Sequence, residues 1–127
     1  MGAISLSKPV YTVQEIACGL SRPGRKGAAA RYWVHIVETR KQSDGRTYIE
    51  ALSDSLRNEN SDIQSRLLCR LVCGYRQILQ EWKVSRVGNN RILADVLRFL
   101  ESRGLTPDTQ IVSSVRNTLN KRQSPRD

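Results

Sequence analysis

The stretch SDIQSRLLCRLVCGYRQILQEWK, residues 61–83, decides the fold. Ile63, Leu67, Leu68, Leu71, Val72, Tyr75, Ile78, Leu79 and Trp82 recur at the spacing that lines one side of a helix. At 100° per residue this stripe spans about half of the circumference, wider than a helix needs to pack on one neighbour. The spacing therefore predicts a central helix with several others around it. Ser61 followed by Gln64 has the spacing of a capping box and sets its start.

Working outward, the same signals recur. Thr12 with Glu15 is a capping box opening a first helix, whose apolar face is Val13, Ile16, Ala17 and Leu20, with Tyr11 and Ile16 at staple spacing. Gly19 and Pro23 end it. Thr47 with Glu50 opens a helix bearing Ile49, Leu52 and Leu56. After a turn at Gly88-Asn89-Asn90, a helix carries Ile92, Leu93, Val96, Leu97 and Leu100 and reaches a terminal cap at Gly104. Thr106-Pro107-Asp108 supplies an N-cap, a proline at the first helical position and an acid in the first turn of a last helix with Ile111, Val112, Val115 and Leu119.

Residues 28–41 read two ways. Ala28, Ala29 and Ala30 favour a helix with Trp33, Ile36 and Val37 on one face. Residues 32–39 are also rich in strand formers, and Ser43-Asp44-Gly45 suits a hairpin turn. The helical reading is preferred. The expectation is an all-α fold, a compact bundle of five to six helices, with an α+β fold carrying one hairpin at 31–52 as the alternative. Residues 1–120 form a single helical domain and residues 121–127 a mobile charged tail.

Sixteen arginines and five lysines against 12 acids give the chain a charge of +9. Residues 66–127 hold 12 basic and 5 acidic side chains. Arginine's planar fork pairs bidentately with phosphate and stacks on flat groups, which points to a polyanionic partner. Arg66, Arg70 and Arg76 lie off the apolar stripe of the long helix, and Arg91 and Arg98 lie opposite that of the next. Side by side, those faces would make one basic surface for phosphates. Asp95, within one turn of Arg91 and Arg98, is positioned to pair with them. Residues 22–27, Arg22-Pro23-Gly24-Arg25-Lys26-Gly27, read as a basic loop beside Arg31 and the aromatic pair Tyr32 and Trp33. Such loops grip a backbone while rings stack on bases, although a tryptophan in this setting is more often core. The expected anion-binding set is Arg22, Arg25, Lys26, Arg31, Arg66, Arg70, Arg91 and Arg98.

Catalysis finds little support. The basic loop lacks the Gly-Lys-Ser/Thr ending of a P-loop. His35 is the sole histidine, and the acids stand beside bases or in helix first turns rather than in pairs. Cys69 and Cys73 are one turn apart, but with Cys18 and His35 they lack paired zinc-ligand spacing, so neither a metal nor a cofactor is expected. Those two cysteines break the arginine face of the long helix, which makes residues 61–83 a candidate self-association surface. An odd count of three cysteines, no apolar run of about 20 residues and no secretory leader pattern point to an intracellular protein, cytoplasmic or nuclear. The favoured function is non-enzymatic binding of RNA or DNA through arginine–phosphate contacts. The alternatives are binding to an acidic membrane surface and a protein-interaction or regulatory role.

Met1-Gly2-Ala3, Arg22-Pro23-Gly24 with Lys26, His35-Ile36-Val37 and Arg76-Gln77-Ile78-Leu79 resemble segments of lentiviral-type retroviral matrix proteins, a helical and basic viral family. The resemblance implies binding of acidic phospholipid headgroups, with Gly2 as lipid acceptor and Arg22, Arg25 and Lys26 as headgroup contacts. The myristoylation pattern has Ser or Thr at position 6, where this chain has Leu6.

Overall fold

The computed structural model describes residues 11–17, 19–84 and 87–123. Gly2 and Cys18 lie outside the described residues. The described chain is an all-α bundle of six helices: α1 (Val13–Ala17), α2 (Gly24–Thr39), α3 (Tyr48–Arg57), α4 (Ser61–Glu81), α5 (Asn89–Ser102) and α6 (Thr109–Gln123). The last reaches into the segment read as a tail.

Helix α4 is the hub, packed against α2, α3, α5 and α6. Its wide stripe is the cause. Leu67, Leu68, Leu71, Val72, Tyr75, Ile78 and Leu79 are all buried, with Ile63 and Trp82 at the margins. Helix α2 runs antiparallel to it, because Arg25 near its start reaches the Trp82 carbonyl while Tyr32 stacks on the Trp82 ring. Trp33 stacks on Tyr75 of α4 at 4.7 Å and meets Phe99 of α5 edge-on at 5.3 Å. Three helices thus lock at one aromatic cluster, each ring pair adding roughly 0.5–1.5 kcal/mol beyond area burial.

The contested segment is helical through Thr39. Ala29, Ala30, Trp33, Val34 and Val37 are buried at helical spacing, a set that a strand of period two would split between opposite faces. The turn signal after it is real. The Gln42 N–H donates to the Arg46 carbonyl, Asp44 accepts from the Arg46 N–H, and a lone antiparallel bridge joins Lys41 and Thr47. No strand flanks the turn among the described residues, since Thr47 immediately caps α3 in a complete capping box with Glu50.

Four local expectations require correction. Residues 22–27 are not a loop throughout: α2 starts at Gly24, so Arg25 and Lys26 stand in its first turn. The cap of α4 is Asn60, whose side chain accepts the Ile63 N–H. Gln64 is instead buried and donates to the Ser55 carbonyl, tying α4 to α3. Asn89 is no turn residue. It begins α5, is buried, accepts from Arg76 and donates to the Leu119 carbonyl, joining α4, α5 and α6. The cap of α6 is Asp108, which accepts the Gln110 N–H, two residues later than Thr106. Each shift is local, because several polar side chains near a helix end compete for the same unpaired N–H groups.

Helix α1 differs more. Its capping box forms, with Thr12 and Glu15 exchanging hydrogen bonds of 2.8 and 3.1 Å. Its supposed apolar face does not bury: Val13 is 78% and Ile16 53% exposed, while Leu20 is core. The helix is held instead through Glu15, which accepts from Arg103 at the end of α5 at 2.7 Å. Arg103 also pairs with Glu38 of α2 at 2.6 Å and lies over the Phe99 ring.

Candidate nucleic-acid interface

The basic residues sort into three groups by what surrounds them. Arg46 pairs with Asp44 and Asp54, Arg57 with Asp54, and Arg103 with Glu15 and Glu38. These cations are neutralised, and none was in the expected binding set. Two others are engaged with uncharged acceptors. Arg76 donates to Asn89, and Arg31 donates to the Leu20 and Arg22 carbonyls at 2.8 and 3.0 Å. Arg31, expected as an anion contact, therefore acts as the clasp of the turn before α2.

That clasp depends on Gly27. A Cβ there would stand 1.8 Å from the Arg22 carbonyl oxygen, so only glycine lets the 20–22 turn lie across the first turn of α2. The close approach brings Arg22 over the bundle beside Lys26.

The third group consists of the remaining cations of the expected set. Arg22, Lys26, Arg91 and Arg98 converge electrostatically on Asp95, which is 7% exposed on α5. Burial pushes the Asp95 carboxyl above its ordinary range, against the pull of Arg91, Arg22, Lys26 and Arg98. Lys26 is shifted down, first by its own burial and then by repulsion from Arg22 and Arg91, with Asp95 opposing. The expected pairing of Asp95 with Arg91 and Arg98 does not occur: Asp95 makes no ion pair or hydrogen bond among the described residues. Four cations thus surround one acid, and Lys26 among them is repelled by Arg22 and Arg91.

Arg70 is not part of that cluster. It is exposed and, with Arg40, lines a cleft of about 270 Å³ between α2 and α4. Ile36, Leu71 and Ile78 contribute apolar wall, and Tyr32 stands at one end with its ring 5.4 Å from that of Trp82. Arg25 is exposed and donates to the Trp82 carbonyl at 3.5 Å, a long bond. Arg66 is exposed one turn before Arg70 on α4. The single basic surface expected across α4 and α5 is therefore two regions, because α2 lies against α4 and takes Arg70 to its own side.

The adjacent aromatics divide. Trp33 is core at 3% exposure and Tyr32 is 42% exposed. Sequence reasoning missed Arg40 and the Tyr32–Trp82 pair. Tyr32, Ile36 and Arg40 do follow i, i+4, i+8 spacing, which marks one stripe once α2 is taken as a helix. No signal links Tyr32 to Trp82 across 50 residues of sequence.

Cys69 and Cys73 are half-buried against the core, and the Cys73 sulfur accepts from Arg76 at 3.7 Å. The arginine face they interrupt is only partly covered within the bundle, since Arg66 and Arg70 on it stay exposed. Among the described residues no three His, Cys, Asp or Glu side chains group as metal ligands, and no helix is long and apolar enough to cross a membrane.

No protein-family model matches the chain, and no curated protein or solved structure shows significant similarity to it.

Proposed function

We propose that this chain is a non-enzymatic, intracellular nucleic-acid-binding bundle that holds its partner mainly by arginine–phosphate contacts. One observation carries this reading: Arg22 in the turn before α2, Lys26 on α2, and Arg91 and Arg98 on α5 gather around one buried acid without an ion pair, while Arg46, Arg57 and Arg103 are neutralised by acids. Like charges crowded this way destabilise the free protein and favour any ligand that places anionic oxygens among them. Arg25, Arg66 and Arg70 extend the contact toward the α2–α4 cleft.

The test is filter binding over a salt series. About four phosphate contacts give a slope of log affinity against log salt near −3 for a single strand and somewhat steeper for a duplex. The triple substitution Arg22→Ala, Lys26→Ala, Arg91→Ala flattens that slope by roughly two units. Affinity that stays level between low and high salt rejects the proposal.

The exposure of Val13 and Ile16 on α1 favours a second reading, a membrane-surface module in which two apolar side chains insert beside a basic patch. Liposome flotation with and without acidic lipid tests it. A protein that stays at the bottom in both cases excludes it.

A further inference from the structure

We infer that the α2–α4 cleft is a base-binding site, which makes unpaired, single-stranded nucleic acid the preferred ligand class. The inference rests on the nucleic-acid reading and adds what the phosphate contacts alone leave open.

Tyr32 has one neighbour in stacking geometry, Trp82, at 5.4 Å and 29° between planes, and is still 42% exposed. A large aromatic left open at the mouth of a cleft is a platform on which a further flat ring can stack. The cleft volume, about 270 Å³, lies below the ~300–1,000 Å³ typical of drug-sized ligands and suits a single planar ring system. A Cβ built at Gly74, which lines this cleft, meets nothing within 4 Å, so the cleft is unobstructed there.

Its polar groups fit a nucleotide. Arg40 at the end of α2 and Arg70 on α4 both line it, both exposed and neither in an ion pair among the described residues. They suit the phosphates flanking an inserted base. Gln77 donates to Glu81 at 3.2 Å within the same lining, a pair that offers an amide and a carboxylate to a base edge. A base inside a duplex is stacked on both faces with its pairing edge occupied, so it can use neither the ring nor the amide–carboxylate pair without leaving the helix. A phosphate-only surface has no reason to distinguish the two forms.

The experiment measures binding of the full chain to three probes of equal length at fixed salt: oligo-uridylate, oligo-thymidylate and a mixed-sequence DNA duplex. The wild type is expected to bind both single strands more tightly than the duplex. Tyr32→Ala lowers single-strand affinity by about 5- to 100-fold, the range seen when a base-stacking aromatic is truncated, and leaves duplex affinity and the salt slope unchanged. Tyr32→Phe retains the ring and the affinity. Gly74→Leu fills the cleft without removing a charge or the ring and reproduces the Tyr32→Ala loss. Single-strand affinity unaffected by both Tyr32→Ala and Gly74→Leu, or a duplex loss of equal size, overturns the cleft assignment and leaves the basic surface standing. Wild-type protein that binds none of the probes overturns both.

Discussion

The substitution Gly27→Ala asks the most of the structure because it tests the clasp that places Arg22. The new Cβ falls 1.8 Å from the Arg22 carbonyl oxygen and 3.0 Å from the nearer Arg31 guanidinium nitrogen. Cβ atoms essentially never approach within 3.0 Å of another heavy atom, so the Arg22 backbone must retreat by at least 1.2 Å, the difference between 3.0 and 1.8 Å. The Arg31 bond to that carbonyl, now 3.0 Å, would then lie beyond hydrogen-bonding range, and the 2.8 Å bond to Leu20 would be strained with it. Hydrogen bonds from a charged donor contribute about 1.5–3 kcal/mol each. Replacing glycine by alanine inside a helix returns up to about 1 kcal/mol. The net expectation is a loss of about 1–4 kcal/mol, a fall in Tm on the order of 5–15 °C for a domain of this size.

Gly74→Ala is the matched control. It is the same chemical change inside a helix, at a position where the added Cβ meets nothing within 4 Å. It should raise stability by up to about 1 kcal/mol. Thermal melts followed by circular dichroism at 222 nm read both variants. Gly27→Ala should also flatten the salt dependence of nucleic-acid binding, because Arg22 moves with the turn. A Gly27→Ala protein that melts with the wild type, or a Gly74→Ala protein that falls equally far, refutes the close-approach reasoning.

Three further outcomes follow from the same geometry. Arg103→Ala breaks the pairs to Glu15 and Glu38 and should cost about 1–3 kcal/mol, with hydrogen exchange speeding first in α1. Glu15 is held below the usual carboxylate range, chiefly by the Thr12 N–H and then by Arg103. Its stabilisation is therefore complete above the ordinary carboxyl pKa and lost as pH falls through the lowered folded value, a loss that shrinks in Arg103→Ala. Glu59 adopts φ 52° in the turn closing α3, so Glu59→Gly should stabilise by about 0.5–1 kcal/mol in urea denaturation; a destabilised variant would contradict the strain assigned to that φ. Asp95→Asn inverts the usual acid response. Because burial raises the Asp95 pKa in the fold, the wild type gains stability as pH falls from neutral through that raised value toward the ordinary carboxyl range. The asparagine variant lacks this gain, is more stable at neutral pH, and binds polyanions more tightly by about two- to five-fold. A stability difference between the two proteins that does not vary with pH would refute the account.

What could be read before the structure, and what could not, divides along the range of the forces involved. The long helix was legible because nine apolar residues between Ile63 and Trp82 repeat with one period, and their angular width already required neighbours on several sides. Residues 28–41 were balanced between helix and strand because the side chains of residues 32–39 suit a strand as well as a helix; burial of Ala29, Ala30, Trp33, Val34 and Val37 on α4 and α5 breaks the tie in three dimensions. Helix ends were misplaced by one or two residues where Asn60, Ser61, Thr106 and Asp108 offered rival caps of similar strength.

The interface shows the same division. Net charge and the identity of the cations are composition, and composition is visible. Whether a given arginine is free is not, because a neutralising partner sits anywhere in the chain: Arg103 finds Glu15 from 88 residues away, and Arg31 finds carbonyls instead of acids. Asp95 is the most instructive case. Helical spacing placed it beside Arg91 and Arg98, which is correct, and implied direct ion pairs, which do not form. Burial raises the carboxyl's pKa and works against the pull of the surrounding cations. Four cations share this one acid without an ion pair to it, so the residue that looked like the reason to discount a basic surface leaves that surface with a net positive charge.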